Sequence, residues 1–255
     1  MAATVVGKVT RNVGQWLIAK SGTQVRDPAL EDDPLFADLY ANCSPYTMTS
    51  KERMYALYSA CLYILDTQLG GSFVECGVWK GGSAMMIAAC LKSKGVLDRD
   101  IYLFDTFEGM PKPDDVDRSH TGEPAQGTFD ATSVNADSST WCYSSLDEVK
   151  RNMLSVGYPE ERIHLIKGKV EETLPDQAPK GPVALLRLDT DWYSSTMQEL
   201  IHIYPQLVQR GVLIIDDFGH WEGAKKAVLE YFNQHKVNML LNRIDYTGRI
   251  GIKVT

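Results

Sequence analysis

Residues 71–83, GSFVECGVWKGGS, constrain the fold of this chain more than any other stretch. An apolar run at 73–76 has the length and composition of a buried strand, and residues 84–91 continue as a helix after a glycine-rich turn. Gly77 and Gly81 remove side chains where the backbone has to turn sharply. The N–H groups that open the helix near Gly82 and Ser83 have no partner within the helix and can receive a carboxylate or a phosphate. The stretch therefore predicts a strand, a turn and a helix that cradle a cofactor.

The turn departs from two common nucleotide-binding motifs. A dinucleotide fingerprint has glycine where this chain has Trp79, whose side chain would keep a pyrophosphate away from the backbone. A P-loop has a lysine before its Ser or Thr, and Gly81-Gly82-Ser83 has none. Glu75 is ionisable and lies in an apolar strand, which is costly unless it has a partner, and the ammonium group of a ligand is one candidate. A tight turn that binds no ligand is the alternative, and Glu75 argues against it.

Size and charge exclude several classes of protein. The 255 residues suffice for one large α/β domain and are too few for two. A net charge of -7 argues against non-specific nucleic-acid binding, so we expect a small-molecule substrate. The 5 cysteines lack paired C-x-x-C spacing, which argues against a disulfide framework and a zinc site. No apolar run has the length of a membrane span and no signal peptide is evident, so we expect a cytoplasmic protein without a membrane partner.

Strand and helix patterns alternate along most of the chain. Residues 1–46 predict an N-terminal arm or cap with a short helix at 9–19, and residues 47–255 predict the main domain. Thr49-Ser50-Lys51-Glu52 predicts a capping box that opens a helix ending near Thr67. The alternation that follows predicts a doubly wound, mostly parallel α/β sheet with right-handed crossovers. A hairpin made of 238–245 and 248–254 is expected to finish this sheet with antiparallel strands.

Residues 107–143 interrupt this alternation. They show no sustained periodicity and are rich in Pro, Gly, Asp, Ser and Thr. So long a connection is uncommon in a compact domain unless it is a lid or is disordered. We predict a lid over the substrate, with Phe107, Met110, Phe129 and Trp141 as its apolar contacts.

Acidic residues follow three of the predicted strands. Asp105 ends the second strand, where a carboxylate can accept hydrogen bonds from both ribose hydroxyls of a nucleoside; a turn former at the strand end is the alternative. Asp189 and Asp191 follow the fourth strand, and Asp216 and Asp217 follow the fifth, after a crossover helix predicted at 194–209. Because parallel neighbouring strands end at one edge of a sheet, we expect these four acids to converge.

Four converging carboxylates need protonation or a cation. Hard oxygen ligands suit Mg²⁺ or Mn²⁺ better than zinc, and neither motif contains histidine or cysteine. Because residues two apart share a face of an extended chain, one of Asp189 and Asp191 can bind metal while the other reaches the substrate hydroxyl. Helix caps and turn formers are the alternative for these acids. His220 and Trp221 follow the second motif and either line the acceptor pocket or pack inside the protein.

These motifs in combination resemble the macrocin-type S-adenosylmethionine-dependent sugar O-methyltransferases. The resemblance runs from about Thr47 to the C-terminus. It is carried by Thr47-Met48, by residues 75–83, by Asp105-Thr106-Phe107-Glu108-Gly109, by residues 186–193 and by Ile214-Ile215-Asp216-Asp217. The core is also similar to that of the catechol-type methyltransferases.

The resemblance implies a class I methyltransferase Rossmann-like fold and a set of site residues. The residues implied for S-adenosylmethionine are Thr47, Met48, Glu75, Gly77, Trp79, Gly81, Ser83, Asp105, Thr106, Gly168, Lys169, Val170, Glu171 and Asp189. Asp189, Asp216 and Asp217 are implied as Mg²⁺ ligands and Asp191 as the general base. The implied substrate is a vicinal diol on a natural-product glycoside, and the implied assembly is a homodimer.

Other functions remain open at this point. A catechol or phenol O-methyltransferase would share the metal chemistry, and aromatic residues at 107–143 would suit an aromatic acceptor. An NAD-dependent oxidoreductase would explain the glycine turn and Asp105 but not four acids at strand ends. A phosphoryl hydrolase would explain the acids but not the turn. A module that binds the cofactor without turnover would have no need of all four acids.

Overall fold

A computed structural model describes residue 30 and residues 32–254, so the helix predicted at 9–19 lies outside the described residues. The chain divides into two compact units, residues 1–37 and 38–255, and this boundary falls within helix α1 (Pro34–Cys43). In the first unit, Asp33 Oδ1 accepts hydrogen bonds of 3.0 Å from the backbone N–H groups of Leu35 and Phe36, which caps the helix. The division predicted after residue 46 stays a prediction.

Within residues 38–254 the dominant element is a seven-stranded sheet in the order β3-β2-β1-β4-β5-β7-β6. The strands are β1 (Ser72–Cys76), β2 (Ile101–Asp105), β3 (Ile163–Lys167), β4 (Val183–Leu188), β5 (Leu207–Ile215), β6 (Asn242–Arg243) and β7 (Arg249–Ile252). Strands β1 to β5 pair in parallel, and β7 runs antiparallel to both β5 and β6. This confirms the predicted doubly wound sheet with an antiparallel hairpin at its end.

Helices connect the parallel strands. They are α2 (Lys51–Asp66), α3 (Gly82–Ser93), α4 (Gln126–Thr132), α5 (Leu146–Ser155), α6 (Val170–Gln177), α7 (Tyr193–His202) and α8 (Glu222–Gln234). Among the described residues, no helix combines the length and the apolar composition that a membrane span requires.

Two boundaries differ from those the sequence predicts. Ser50 is the N-cap of α2, since its hydroxyl accepts a hydrogen bond from the Arg53 backbone N–H; Glu52 then lies too early for the reciprocal bond of a capping box. The crossover helix ends at His202 instead of residue 209, and β5 already begins at Leu207. Pro205 explains this second difference, because proline has no N–H to continue the helix and leaves a short 3₁₀ turn in its place.

The centre of the sheet is buried on both faces. Strand β4 is buried at every position, and β1 at every position after Ser72. Their apolar side chains form the core with those of helices on each side, as doubly wound sheets require. Two ionisable residues interrupt this apolar run, Glu75 in β1 and Arg187 in β4, and both are almost completely buried.

The segment 107–143 is held against the main domain by hydrogen bonds. Buried Asp117 accepts hydrogen bonds from the backbone N–H groups of Tyr193 at 2.9 Å and of Asp114 at 2.8 Å. The Trp192 indole donates to the carbonyl oxygen of Pro111 at 3.1 Å, and the His120 N–H donates to a carbonyl after β5. These contacts join the segment to the loops that follow β4 and β5. Its predicted role as a closing lid stays a prediction.

Candidate active site

The carboxyl ends of the five parallel strands, β1 to β5, surround a cavity of about 410 Å³. Its lining includes the predicted cofactor residues Thr47, Met48, Gly77, Trp79, Ser83, Asp105, Thr106, Gly168, Lys169, Val170, Glu171 and Asp189. Asp191, Asp216 and Asp217 line the same cavity, so the glycine turn and the acids share one site. In the lining that the described residues form, the predicted cofactor residues Glu75 and Gly81 are missing, and both are buried.

The glycine turn is shaped by the end of β4. Gly77 and Gly81 have positive φ values of 83° and 91°, as the sequence predicts for a sharp turn. A Cβ atom at Gly77 would lie 1.9 Å from the backbone oxygen of Asp189, so no other residue fits here without moving the backbone. Trp79 also has a positive φ of 47° and lines the cavity. It stands where a dinucleotide-binding turn has glycine.

Asp105 fastens this turn. Its Oδ2 accepts hydrogen bonds from the N–H groups of Val78 at 2.6 Å and Trp79 at 3.1 Å, and its Oδ1 accepts one from Phe107 at 2.7 Å. Burial raises the pKa of Asp105, and these N–H groups act in the opposite direction. Asp105 therefore orders the turn itself, and its predicted contact with a ribose stays a prediction.

Arg187 is a buried cation among these acids, and the sequence patterns did not predict this role for it. Its Nη1 bonds Glu75 Oε1 and lies 2.8 Å from Asp189 Oδ2, and its Nη2 lies 2.8 Å from Asp216 Oδ1. It also donates to the hydroxyl oxygens of Ser83 at 3.2 Å and Thr49 at 3.0 Å. The partner of Glu75 is thus an arginine of this chain in place of a ligand ammonium, and the signal for it was a second ionisable residue in an apolar strand.

Arg53 is the other cation at the acidic edge. It projects from α2, forms an ion pair through Nη1 with Asp216 Oδ2, and places Nε 3.0 Å from Asp245 Oδ2. Asp245 lies in the turn between β6 and β7 and accepts further hydrogen bonds from Ser50, Thr247 and Gly248. No local pattern marked Arg53, because a polar residue on an amphipathic helix is ordinarily solvated.

The residues predicted to hold a metal do converge. One carboxylate oxygen each from Asp189, Asp216 and Asp217 lies within 4.8 Å of the other two. Asp217 Oδ2 is buried and has no hydrogen-bond partner, which costs free energy unless a proton or cation satisfies it. Three carboxylate oxygens with an unsatisfied member fit a hard divalent cation such as Mg²⁺. Two of these acids already have arginine partners, so the set is less negative than the sequence alone indicates.

Asp191 lies beside this set in a conformation that the sequence analysis did not anticipate. Its φ is 68°, so the chain turns after β4 and does not stay extended. Asp189 and Asp191, on the two sides of Thr190 in this turn, both line the cavity. A 2.8 Å hydrogen bond from the Thr190 hydroxyl to buried Glu199 holds the turn. Burial and the charge of Asp189 raise the pKa of Asp191 to about 7, although hydrogen bonds with Asp217 and Trp221 lower it. A carboxyl of this kind exchanges protons near neutral pH.

Burial likewise raises the pKa of Asp217, and the adjacent Asp191 raises it further. Two carboxyl groups that contact each other in this way share a proton in preference to both ionising.

An aromatic wall borders the cavity next to Asp191. Trp141, Trp192 and Trp221 pack edge to face, with ring centroids 5.0 to 6.0 Å apart. His220 packs on Trp221, and its Nδ1 lies 3.3 Å from the Tyr246 hydroxyl. His220 and Trp221 both line the cavity and both pack, so the two alternatives weighed for them hold together. Met110 and Trp141 of the segment 107–143 line the cavity, whereas Phe107 and Phe129 are buried outside it.

Comparison with known proteins gives consistent results. The family model described as macrocin-O-methyltransferase (TylF) matches residues 21–250. Mycinamicin III 3''-O-methyltransferase of Micromonospora griseorubida is 32% identical over 203 residues, which are 80% of this chain and 76% of that protein. A rhamnosyl-tetracenomycin-C 4'-O-methyltransferase of Streptomyces olivaceus is 30% identical over 80% of this chain and 74% of its own length. The solved structure of the O-methyltransferase NovP superimposes with a TM-score of 0.71 at 27% identity, covering 82% of this chain and 83% of that one.

Proposed function

Because the chain belongs to the macrocin-O-methyltransferase (TylF) family, we propose that it transfers a methyl group from S-adenosylmethionine to a sugar hydroxyl of a natural-product glycoside, with the help of Mg²⁺. The observation that carries the proposal is the single cavity that joins the glycine turn to the acidic edge. The turn supplies a place for the methyl donor, and the acids supply proton acceptance and a cation site beside it.

The donor would lie across the ends of β1 and β2. Gly77 and Ser83 would surround its methionine part, Asp105 would accept from the ribose, and the loop from Gly168 to Glu171 would flank the adenine. Glu75 and Gly81 would act indirectly: Glu75 through its contacts with Ser83 and Arg187, and Gly81 by turning the chain into α3. The activated sulfonium supplies the electrophilic methyl group, so the protein has mainly to align the reacting atoms.

The acidic edge would handle the acceptor. Asp189, Asp216 and Asp217 would hold Mg²⁺, which supplies Lewis-acid polarisation and neutralises negative charge when it is bound. Asp191 would accept the proton of the acceptor hydroxyl. In the balanced step, the new O–CH₃ bond forms as the S–CH₃ bond breaks, the proton passes to Asp191, and S-adenosylhomocysteine leaves as a neutral thioether.

The relatives favour a glycoside as the acceptor. Two of them are named for methylation of a rhamnosyl-tetracenomycin and of mycinamicin III, and a third is a demethyldecarbamoylnovobiocin O-methyltransferase. We propose a vicinal diol on such a sugar, because two adjacent hydroxyls can meet the acid set together. A cytoplasmic homodimer that acts on small molecules, without nucleic acid or membrane, belongs to the same proposal.

A catechol or phenol acceptor is the second candidate. Trp141 and Trp221 of the aromatic wall line the cavity and could stack on an aromatic acceptor. The same wall also suits the apolar face of a sugar, so the wall does not choose between them.

The test is S-adenosylhomocysteine production from S-adenosylmethionine with a panel of deoxysugar glycosides and catechols, in EDTA and in added Mg²⁺. We expect turnover on a sugar diol that EDTA stops and Mg²⁺ restores. Turnover confined to catechols would replace the acceptor class. Turnover that is unaffected by EDTA would remove the metal from the proposal.

A further inference from the structure

Arg53 lies among the acids of the metal edge, yet no step of the proposed reaction uses it. Its side chain lines the cavity and is only 14% exposed. It forms two ion pairs at once, through Nη1 with Asp216 and through Nε with Asp245. A largely buried arginine that pairs with one carboxylate after β5 and another in the turn between β6 and β7 differs from a solvated helix residue, so its position calls for a role.

The contacts of Asp216 set it apart from the other two acids. Arg187 occupies Asp216 Oδ1 at 2.8 Å, and Arg53 occupies Oδ2. Asp189 has a contact with Arg187 through Oδ2, and Asp217 Oδ2 has no partner among the described atoms. Of the three acids, Asp216 is therefore the one whose two oxygens both face an arginine.

Arg53 brings a positive charge to the acidic edge. Its guanidinium pairs with Asp216 through Nη1 and with Asp245 through Nε. A divalent cation held by Asp216 would bring positive charge to the same carboxylate, so the two cations would repel each other.

We propose that Arg53 is a resident cation that competes with the divalent metal for Asp216. This inference rests on the proposed metal site. Without metal, Arg53 adds to Arg187 in offsetting the repulsion among the acids, because it pairs with the second oxygen of Asp216. Metal binding weakens the pair between Arg53 and Asp216, while Asp245 retains the side chain through Nε. The rigid fork of arginine suits such a double contact, and lysine cannot reproduce it.

A purely supportive role for Arg53 predicts the opposite result. If Arg53 served only to orient Asp216 for metal, its removal would weaken metal binding. If it competes, its removal strengthens metal binding, because one positive charge beside the ion is lost. The sign of the change in affinity therefore decides between the two roles.

The experiment measures Mn²⁺ binding to the metal-free full-length protein by the electron paramagnetic resonance signal of free Mn²⁺. The variants are Arg53→Met, Arg53→Lys and the control Arg162→Met, which breaks an Arg–Asp pair with Asp100 that is far more exposed. We expect Arg53→Met to bind Mn²⁺ about tenfold or more tightly than the parent protein, from the loss of like-charge repulsion. Arg53→Lys keeps the charge and is expected to fall between them, and Arg162→Met to match the parent.

S-adenosylhomocysteine titration of each variant verifies that the cavity is folded. If Arg53→Met does not fold, the Mn²⁺ affinity of Arg53→Lys is compared with that of the parent protein instead. Equal or weaker Mn²⁺ binding by the Arg53 variants, with binding by the parent intact, overturns the competition and leaves the metal site standing. If parent and variants alike bind no Mn²⁺, the metal part of the proposed function fails and the competition fails with it. Binding by Arg53→Met alone supports the competition in its strongest form.

Discussion

Asp191 and Asp217 are residues of one type that lie in different environments. Asp217 is buried just after β5 and has an oxygen without a hydrogen-bond partner, so it suits a cation. Asp191 lies in a turn with positive φ, is partly exposed to the cavity and has a pKa raised to about 7. Such strained backbone conformations are often found at functional sites. These environments suit the two proposed tasks, metal binding by Asp217 and proton transfer by Asp191.

Substituting these two acids separates the two tasks. We expect Asp191→Asn to lower kcat by about 10²-fold or more, because general base catalysis is lost, while Mn²⁺ affinity stays close to that of the parent. We expect Asp217→Asn to lower Mn²⁺ affinity by about tenfold or more, because a ligand oxygen is replaced by a neutral one. Steady-state kinetics with saturating metal and direct Mn²⁺ titration measure the two effects. An Asp191→Asn enzyme that retains most of its kcat would show that another group takes the proton.

Asp191 also predicts how stability depends on pH in the metal-free protein. Its folded pKa of about 7 exceeds the value of about 3.9 for an unfolded aspartate. The folded state therefore holds the proton longer, and stability falls as pH rises from about 4 to 7. Asn has no proton to lose, so Asp191→Asn should gain stability over the parent across this range, by at most about 4 kcal/mol.

Urea unfolding in EDTA at several pH values measures this difference. The gain should grow between pH 4 and 7 and level off above it. A difference between variant and parent that does not change with pH would contradict the raised pKa. Asp217 adds to the gain in stability, because removing Asp191 also removes the repulsion that raises the pKa of Asp217.

At the scale of elements, the turn between β1 and α3 depends on the end of β4. The Asp189 N–H donates to the Cys76 carbonyl at 2.8 Å, which brings the β4 backbone against Gly77. Glycine at 77 is thus required by the protein backbone before any ligand arrives. The same contact places Asp189, a proposed metal ligand, beside the glycine turn.

Gly77→Ala tests this packing, with Gly95→Ala as its matched control. Both glycines have positive φ, but a Cβ atom at Gly95 meets nothing within 4 Å, whereas at Gly77 it meets the Asp189 backbone. We expect Gly95→Ala to cost about 1 kcal/mol from backbone conformation alone. Gly77→Ala should cost at least about 2 kcal/mol more and should weaken S-adenosylhomocysteine binding. Urea midpoints and ligand titration measure both; equal costs would show that the backbones move apart easily.

Local patterns in the sequence predicted the elements well and their ends less well. The parallel strands and the C-terminal hairpin follow from apolar runs and glycine turns, which are local signals. The end of the crossover helix was placed too late because apolar periodicity continues past Pro205, although proline ends the helix. The segment 107–143 has no periodicity, yet Asp117 and Trp192 order it through contacts with other parts of the chain.

In the candidate site, too, local patterns predicted some residues and contacts between distant parts of the chain determined the others. The acids were predictable because strand ends in a parallel sheet fix where they meet. Their arginine partners were not, since the pair between Arg53 and Asp216 joins residues 163 positions apart and depends on where α2 packs. The role of Arg187 had a local signal, because Arg187 is the only ionisable residue in the apolar strand β4.

For the whole molecule, the cavity joins α2, the glycine turn and the ends of five parallel strands, so a ligand there should stabilise the fold as a unit. S-adenosylhomocysteine at about 100 times its Kd adds about 2.7 kcal/mol to the free energy of unfolding. For a chain of this size, that corresponds to a rise in Tm of about 5 to 10 °C. NAD should leave Tm unchanged, because Trp79 stands where a dinucleotide needs glycine. Differential scanning fluorimetry with each ligand, in EDTA and in Mg²⁺, measures the shifts. A larger shift with NAD would revive the oxidoreductase alternative, whereas a shift with S-adenosylhomocysteine that persists in EDTA would show that the donor site forms without the metal.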